Sequence, residues 1–142
     1  MATVLAGEFQ KRTGICSASL ASNLDLVHRV DSNGEIALCD GSVGASPQKP
    51  YGTLINDQRV DAQGKVCELQ TGGIAKCVAG AAVTRGASIT VNSAGKVIDF
   101  VVPTGASNYI WIFGTALDAA SAVNEKIRVE VGIVPFGKPQ TT

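Results

Sequence analysis

An excess of charge of either sign is missing from this chain, as are long apolar runs, closely paired cysteines and more than one histidine. Twelve Lys and Arg balance twelve Asp and Glu in 142 residues. Without a positive excess, the counterion-release term that drives non-specific nucleic-acid binding is lost, which argues against DNA or RNA as a partner. No stretch approaches the ~20 apolar residues that cross a bilayer, so no membrane partner is expected. Residues 1–20 hold no apolar run of signal-peptide length, and the chain is expected to be made and kept in a cytoplasm. The cysteines, Cys16, Cys39, Cys67 and Cys77, lack the short paired spacing of a zinc site. They read as free thiols that pack as small hydrophobes, with a Cys67–Cys77 disulfide conceivable only in a particle that has left the cell.

The other routes to chemistry are equally thin. His28 stands between Val27 and Arg29 with no acid or nucleophile at a spacing that implies a triad. Asp31, Glu35, Asp57, Asp61 and Asp99 fall mostly at turns, where bonds from side chain to main chain account for them. The string Thr71-Gly72-Gly73-Ile74-Ala75-Lys76 lacks the glycine spacing and the Gly-Lys-Ser/Thr ending of a phosphate loop. No catalytic, cofactor-binding or metal site is expected, and no cofactor.

What is present is a repeat. Val30-Asp31-Ser32-Asn33-Gly34-Glu35-Ile36 reads as strand, turn, strand, and Val91-Asn92-Ser93-Ala94-Gly95-Lys96-Val97 repeats the scheme about 61 residues later. Gly44, Ala45 and Ser46 fall on Gly105, Ala106 and Ser107, and Tyr51-Gly52-Thr53-Leu54 answers to Phe113-Gly114-Thr115-Ala116 with one residue of slip. Sixteen glycines, 17% charged residues and an apolar fraction weighted to Ala, Val and Ile describe short strands joined by many turns. The expected class is all-β: two tandem small antiparallel β modules, barrel- or roll-like and packable into one unit, with an extended N-terminal arm. The divisions are an arm over residues 1–22, modules over 23–71 and 72–136, and a tail over 137–142.

Within this layout the Asn33-Gly34 pair marks a hairpin. Residues 40–50, with Gly41, Gly44, Pro47 and Pro50, read as an exposed loop. Gly72-Gly73 reads as the bend between two sheets. Residues 109–117 form a nearly continuous apolar run, the expected core strand. In it Tyr109, Trp111 and Phe113 alternate as a core stripe or, on an exposed face, as a platform for a sugar or base. Lys126, Arg128 and Glu130 alternate with Ile127, Val129 and Val131, giving a strand with one wet face that protects an edge or binds a partner. Near-zero net charge with positive mean hydropathy favours association with itself or with a partner surface.

The pieces Gly73-Ile74-Ala75-Lys76, then Ala79-Gly80-Ala81-Ala82-Val83-Thr84-Arg85-Gly86-Ala87, then Ser93-Ala94-Gly95-Lys96-Val97 resemble, in that order, the capsid cement or head decoration proteins of tailed bacteriophages. Phe113-Gly114-Thr115-Ala116-Leu117-Asp118-Ala119-Ala120-Ser121 and the strand at 127–131 resemble the family's usual ending. The likeness runs from about 72 to 131; the first half is similar in layout, and residues 1–22 and 45–50 depart from the pattern. The resemblance implies a non-enzymatic protein that binds the phage major capsid protein on the outer surface of an icosahedral head and clamps neighbouring subunits. It also implies a homo-oligomer, a trimer before a dimer. Residues 1–22 are then expected to add an extended segment to the capsid protein. Two readings compete: a tail or fibre module that binds host glycan through Trp111 or Tyr109, and an enzyme with a cysteine nucleophile near His28.

Overall fold

The turn at Asp31 shows how each half of the chain begins to fold. Asp31 Oδ1 accepts from the main-chain N–H of Asn33 and of Glu35, each at 2.9 Å, while Gly34 takes a left-handed φ of 79°. Asn92 Oδ1 does the same for Ala94 at 2.9 Å and Lys96 at 3.1 Å, with Gly95 at φ 74°. A short polar side chain that satisfies two main-chain donors, followed by glycine where φ is positive, fixes a tight reversal. The strands on either side are β2 (Val27–Val30) with β3 (Ile36–Leu38), and β7 (Ser88–Val91) with β8 (Val97–Asp99).

The computed structural model describes residues 9–44, 47–56, 60–102 and 109–137, and among these it holds no helix. The remaining strands are β1 (Phe9–Ile15), β4 (Val43–Gly44), β5 (Gly52–Leu54), β6 (Val66–Val78), β9 (Tyr109–Ala116) and β10 (Lys126–Gly137). Every ladder is antiparallel, and the main path runs β3-β2-β5-β6-β10-β9-β7-β8, with β1 beside β6 and β4 beside β9. The order reads the same from either end once β3 is matched to β8, β2 to β7, β5 to β9 and β6 to β10. The all-β class of two small modules merged into one strongly curled unit is therefore what the chain forms.

The duplication reaches further than its letters. Cys16 N–H donates to Lys65 O and Ser17 N–H to Ile36 O, while Ala79 N–H donates to Glu125 O and Gly80 N–H to Val97 O. Parallel bridges join Cys16 to Ile36 and Ala79 to Val97, bringing the end of each repeat's hairpin back to its first strand. Cys16 thus answers to Ala79, Ile36 to Val97, Leu54 to Ala116 and Val60 to Ala120, an offset of 63, 61, 62 and 60 residues in turn. By this correspondence β1 is the first strand of the first repeat. The segment expected to lie as an arm on a neighbour lies, over Phe9–Ile15, on the chain's own β6. Residues 1–8 are outside the described residues.

The glycine pair expected to bend the chain between two sheets sits inside one thirteen-residue strand, β6. Gly73 takes φ 76°, and β1 skips one residue of β6 beside it, so the strand kinks while its ladders continue. The first half of β6 closes one repeat and the second half opens the next. The stretch expected as an exposed loop at 40–50 is also partly internal. Ser42 is fully buried and its Oγ donates to Gln48 O at 3.0 Å, Pro50 is buried, and β4 pairs with β9 of the other repeat. Residues 45–46, 103–108 and 138–142 lie outside the described residues, as do the Gly105-Ala106-Ser107 match and most of the tail.

Two apolar clusters fill the curls. One gathers Cys16, Leu20, Ile36, Leu54, Val60, Cys67 and Leu69 from the first repeat. The other takes Phe113, Ile89, Val91, Val97, Ile127 and Val129 from the second, together with Val27 and Cys39 from the first. Sharing Val27 and Cys39 ties the repeats into one core. Lys126 Nζ adds an ion pair between them, 2.7 Å from Asp25 Oδ2. Along β10 the expected alternation holds: Ile127 and Val129 are buried, Lys126, Arg128 and Glu130 exposed.

Candidate interaction cleft

Because β6 serves both repeats, its partners change along its length, and the change opens a fork. Beyond Gly73↔Val131 the ladder between β6 and β10 stops. On that edge the first half of β6 pairs with β5, β1 lying on the opposite edge, and β10, after a register shift between Val131 and Val134, continues against β9 through Trp111↔Pro135. Where β10 leaves β6, beside Thr71, lies a cleft of about 920 Å³. Its walls carry Lys11, Arg12 and Thr13 from β1, Lys49, Pro50 and Tyr51 before β5, and Trp111, Ile133 and Pro135 across the fork.

The cleft joins cations to aromatic faces. Arg12 Cζ lies 5.0 Å from the centre of the Tyr51 ring, and Arg12 Nη1 donates to the Tyr51 hydroxyl. Lys49 Nζ lies 5.3 Å from the centre of the Trp111 ring. Such pairs hold a guanidinium or ammonium beside a ring quadrupole with ~1 kcal/mol each at exposed sites. Among the described residues none that lines the cleft is acidic; Glu68, outside the cleft, reaches Lys11 at 4.0 Å.

Main-chain polarity sets the two edges apart. Trp111 N–H donates to Ser42 O at 2.9 Å and Trp111 O accepts from Thr90 Oγ1 at 2.8 Å, so both groups point away from β10. In the antiparallel pair Trp111↔Pro135 the backbone of Pro135 therefore faces the cleft, where proline offers no N–H. In β1, Cys16 N–H bonds Lys65 O, and the alternation turns the main chain of Thr13 away from β6. Among the described residues that side of β1 has a bridge only at Cys16, to Ile36.

The residues singled out for chemistry are held elsewhere. His28 is fully buried, its Nδ1–H bonds Leu26 O at 2.9 Å and its Nε2 faces the Asn23 amide at 3.5 Å. Burial lowers its pKa to about 4 against a smaller upward push from the Leu26 carbonyl, so the ring is neutral near pH 7. All four cysteines are free and buried. Burial raises each thiol pKa, that of Cys67 to about 12, which is the opposite of the lowered pKa a thiolate nucleophile requires. The aromatic stripe divides: Phe113 is fully buried in the core, whereas Trp111 is half-buried in the cleft wall. The side chain of Tyr109 lies outside the described residues. Sequence reasoning pointed to Trp111 but missed Arg12, Lys49 and Tyr51, since nothing in their neighbourhoods signals that they meet. Groups of three or more His, Cys, Asp or Glu side chains able to hold a metal are absent among the described residues.

A helix long and apolar enough to cross a membrane is likewise absent among the described residues. No curated protein matches the chain significantly. The phage cement protein family matches residues 52–132, which take in β5 through the first half of β10 and therefore both sides of the fork. A match over more than half of the sequence makes this chain a member of the phage cement protein family, a capsid-associated structural protein.

Proposed function

We propose that the protein binds the outer surface of an icosahedral phage head and clamps adjacent major capsid subunits, stabilising the expanded shell without catalysing a reaction. The family match over residues 52–132 carries this reading. The geometry supports it: the histidine and thiols are buried in inert states, and the exposed chemistry gathers in a cleft between the repeats. Many copies, each held by modest contacts, stabilise a shell by mass action, so no single site has to be strong. A trimer at local threefold positions is the assembly proposed, with a dimer as the alternative.

The test is sedimentation of purified protein with expanded, undecorated heads, followed by imaging. Saturable binding at a fixed copy number, with heads that withstand more heat, is the expected result. Protein that stays in the supernatant would overturn the reading. The half-buried Trp111 ring favours a second reading, a glycan-binding tail module. A saturable shift of Trp111 fluorescence with saccharide, without head binding, would establish that instead.

A further inference from the structure

We infer that the cleft at the fork of β6 and β10 is the docking site for an acidic segment of the major capsid protein; this rests on the cement reading above. Two observations converge on an occupant of that chemistry. First, Lys11, Arg12 and Lys49 stand on the walls with no acidic residue among the described lining residues, in a chain whose overall charge is zero. Charge concentrated in this way on a neutral protein steers and orients an acidic partner more than it adds raw affinity. Second, Tyr51 and Trp111 back two of the cations, so a segment lying there meets apolar ring faces as well as positive charge. The carboxylates of a segment lying in the cleft reach these cations.

Of residues 1–22, expected to add an extended segment to the capsid protein, Phe9–Ile15 are already held by β6 along one side.

The decisive comparison uses Lys49→Glu, an exposed side chain whose contact is the Trp111 ring, and Lys76→Glu, the same charge change on the outer face of β6, away from the cleft. Both variants and the native protein are sedimented with expanded, undecorated heads at low and high salt, after melting curves show each to be folded. The expected result is at least about tenfold weaker binding for Lys49→Glu, a smaller salt dependence, and native affinity for Lys76→Glu. In parallel, the single Trp111 reports on the isolated protein during titration with an acidic (Glu-Thr)4 peptide, its (Lys-Thr)4 counterpart, inorganic phosphate and a neutral oligosaccharide. A saturable change with the acidic peptide alone, abolished by salt, supports the assignment. Equal head binding by the native protein and Lys49→Glu overturns the cleft while leaving the cement reading intact. Absence of head binding by the native protein overturns both. An equal response to phosphate reduces the cleft to a general anion site, and a response to the saccharide alone reassigns it; either outcome overturns the inference.

Discussion

Acid should destabilise this protein through one buried imidazole. His28 is neutral in the folded state, with its pKa lowered by burial from 6.5 to about 4. The unfolded chain binds a proton near pH 6.5 and the folded chain does not, so the stability contributed is full above that pH and is lost as pH falls towards 4. At 1.36 kcal/mol per unit, the full effect is about 3 kcal/mol, of which about 2 kcal/mol is already lost at pH 5. For a chain of this length that is a fall in Tm of about 8 °C between pH 7 and pH 5. Asp118 is held down to about 2 by its Arg128 partner, below this window, and Glu125 is lowered by donors at Ala122 and Ser121. The assay is urea denaturation followed by circular dichroism at pH 7, 6 and 5, for the native protein and for His28→Gln. The variant should start less stable at pH 7 and show little further loss. A flat native profile, or the same slope in His28→Gln, would refute the reasoning; so would a histidine that titrates near 6.5 by NMR.

Other expectations rest on the repeat. A Cβ at Gly114 would collide with the carbonyl oxygen of Glu130, and one at Gly52 with that of Gln70, the equivalent neighbour in the other repeat. Gly114→Ala and Gly52→Ala should each destabilise by about 2–4 kcal/mol because backbone has to move, whereas Gly86→Ala, at φ 85° in open space, should lose only about 1 kcal/mol. Urea midpoints for the three variants provide the check. Removing the turn acceptor in Asn92→Ala or Asp31→Ala should lower stability by about 1–2 kcal/mol, with similar losses in the two repeats. In alkali the raised thiol pKa of Cys67, about 12 when folded, means stability present at neutral pH and lost as pH rises beyond about 9. All four thiols should alkylate slowly in native protein and rapidly in urea; one fast thiol at pH 7 would contradict their burial.

Much of the fold was legible because local chemistry wrote it. Asp31 and Asn92 followed by glycine mark their reversals by satisfying main-chain donors within four residues, and burial alternates along 126–131 because β10 has one face on the core. The first strand was not legible. Between Gln10 and Ile15 only Gly14 is not exposed, so β1 is held by main-chain bonds to β6 that leave no pattern in the letters. The glycine pair 72–73 was read as a break for a related reason. A positive φ in isolation signals a turn, and only the ladders to β1 and β10 on either side keep β6 running through it.

The candidate site divides in the same way. The sequence by itself determined that Trp111 is the sole tryptophan, that charge balances to zero, and that two similar β units follow each other, because these depend on composition and near-neighbour spacing. Tertiary structure alone decided that Arg12, Lys49, Tyr51 and Trp111 share one cleft, because they come from three separate segments that meet only where β6 exchanges β10 for β5. That exchange follows from a strand shared by two repeats, and the pairing of distant main chains fixes it with no local residue to announce it.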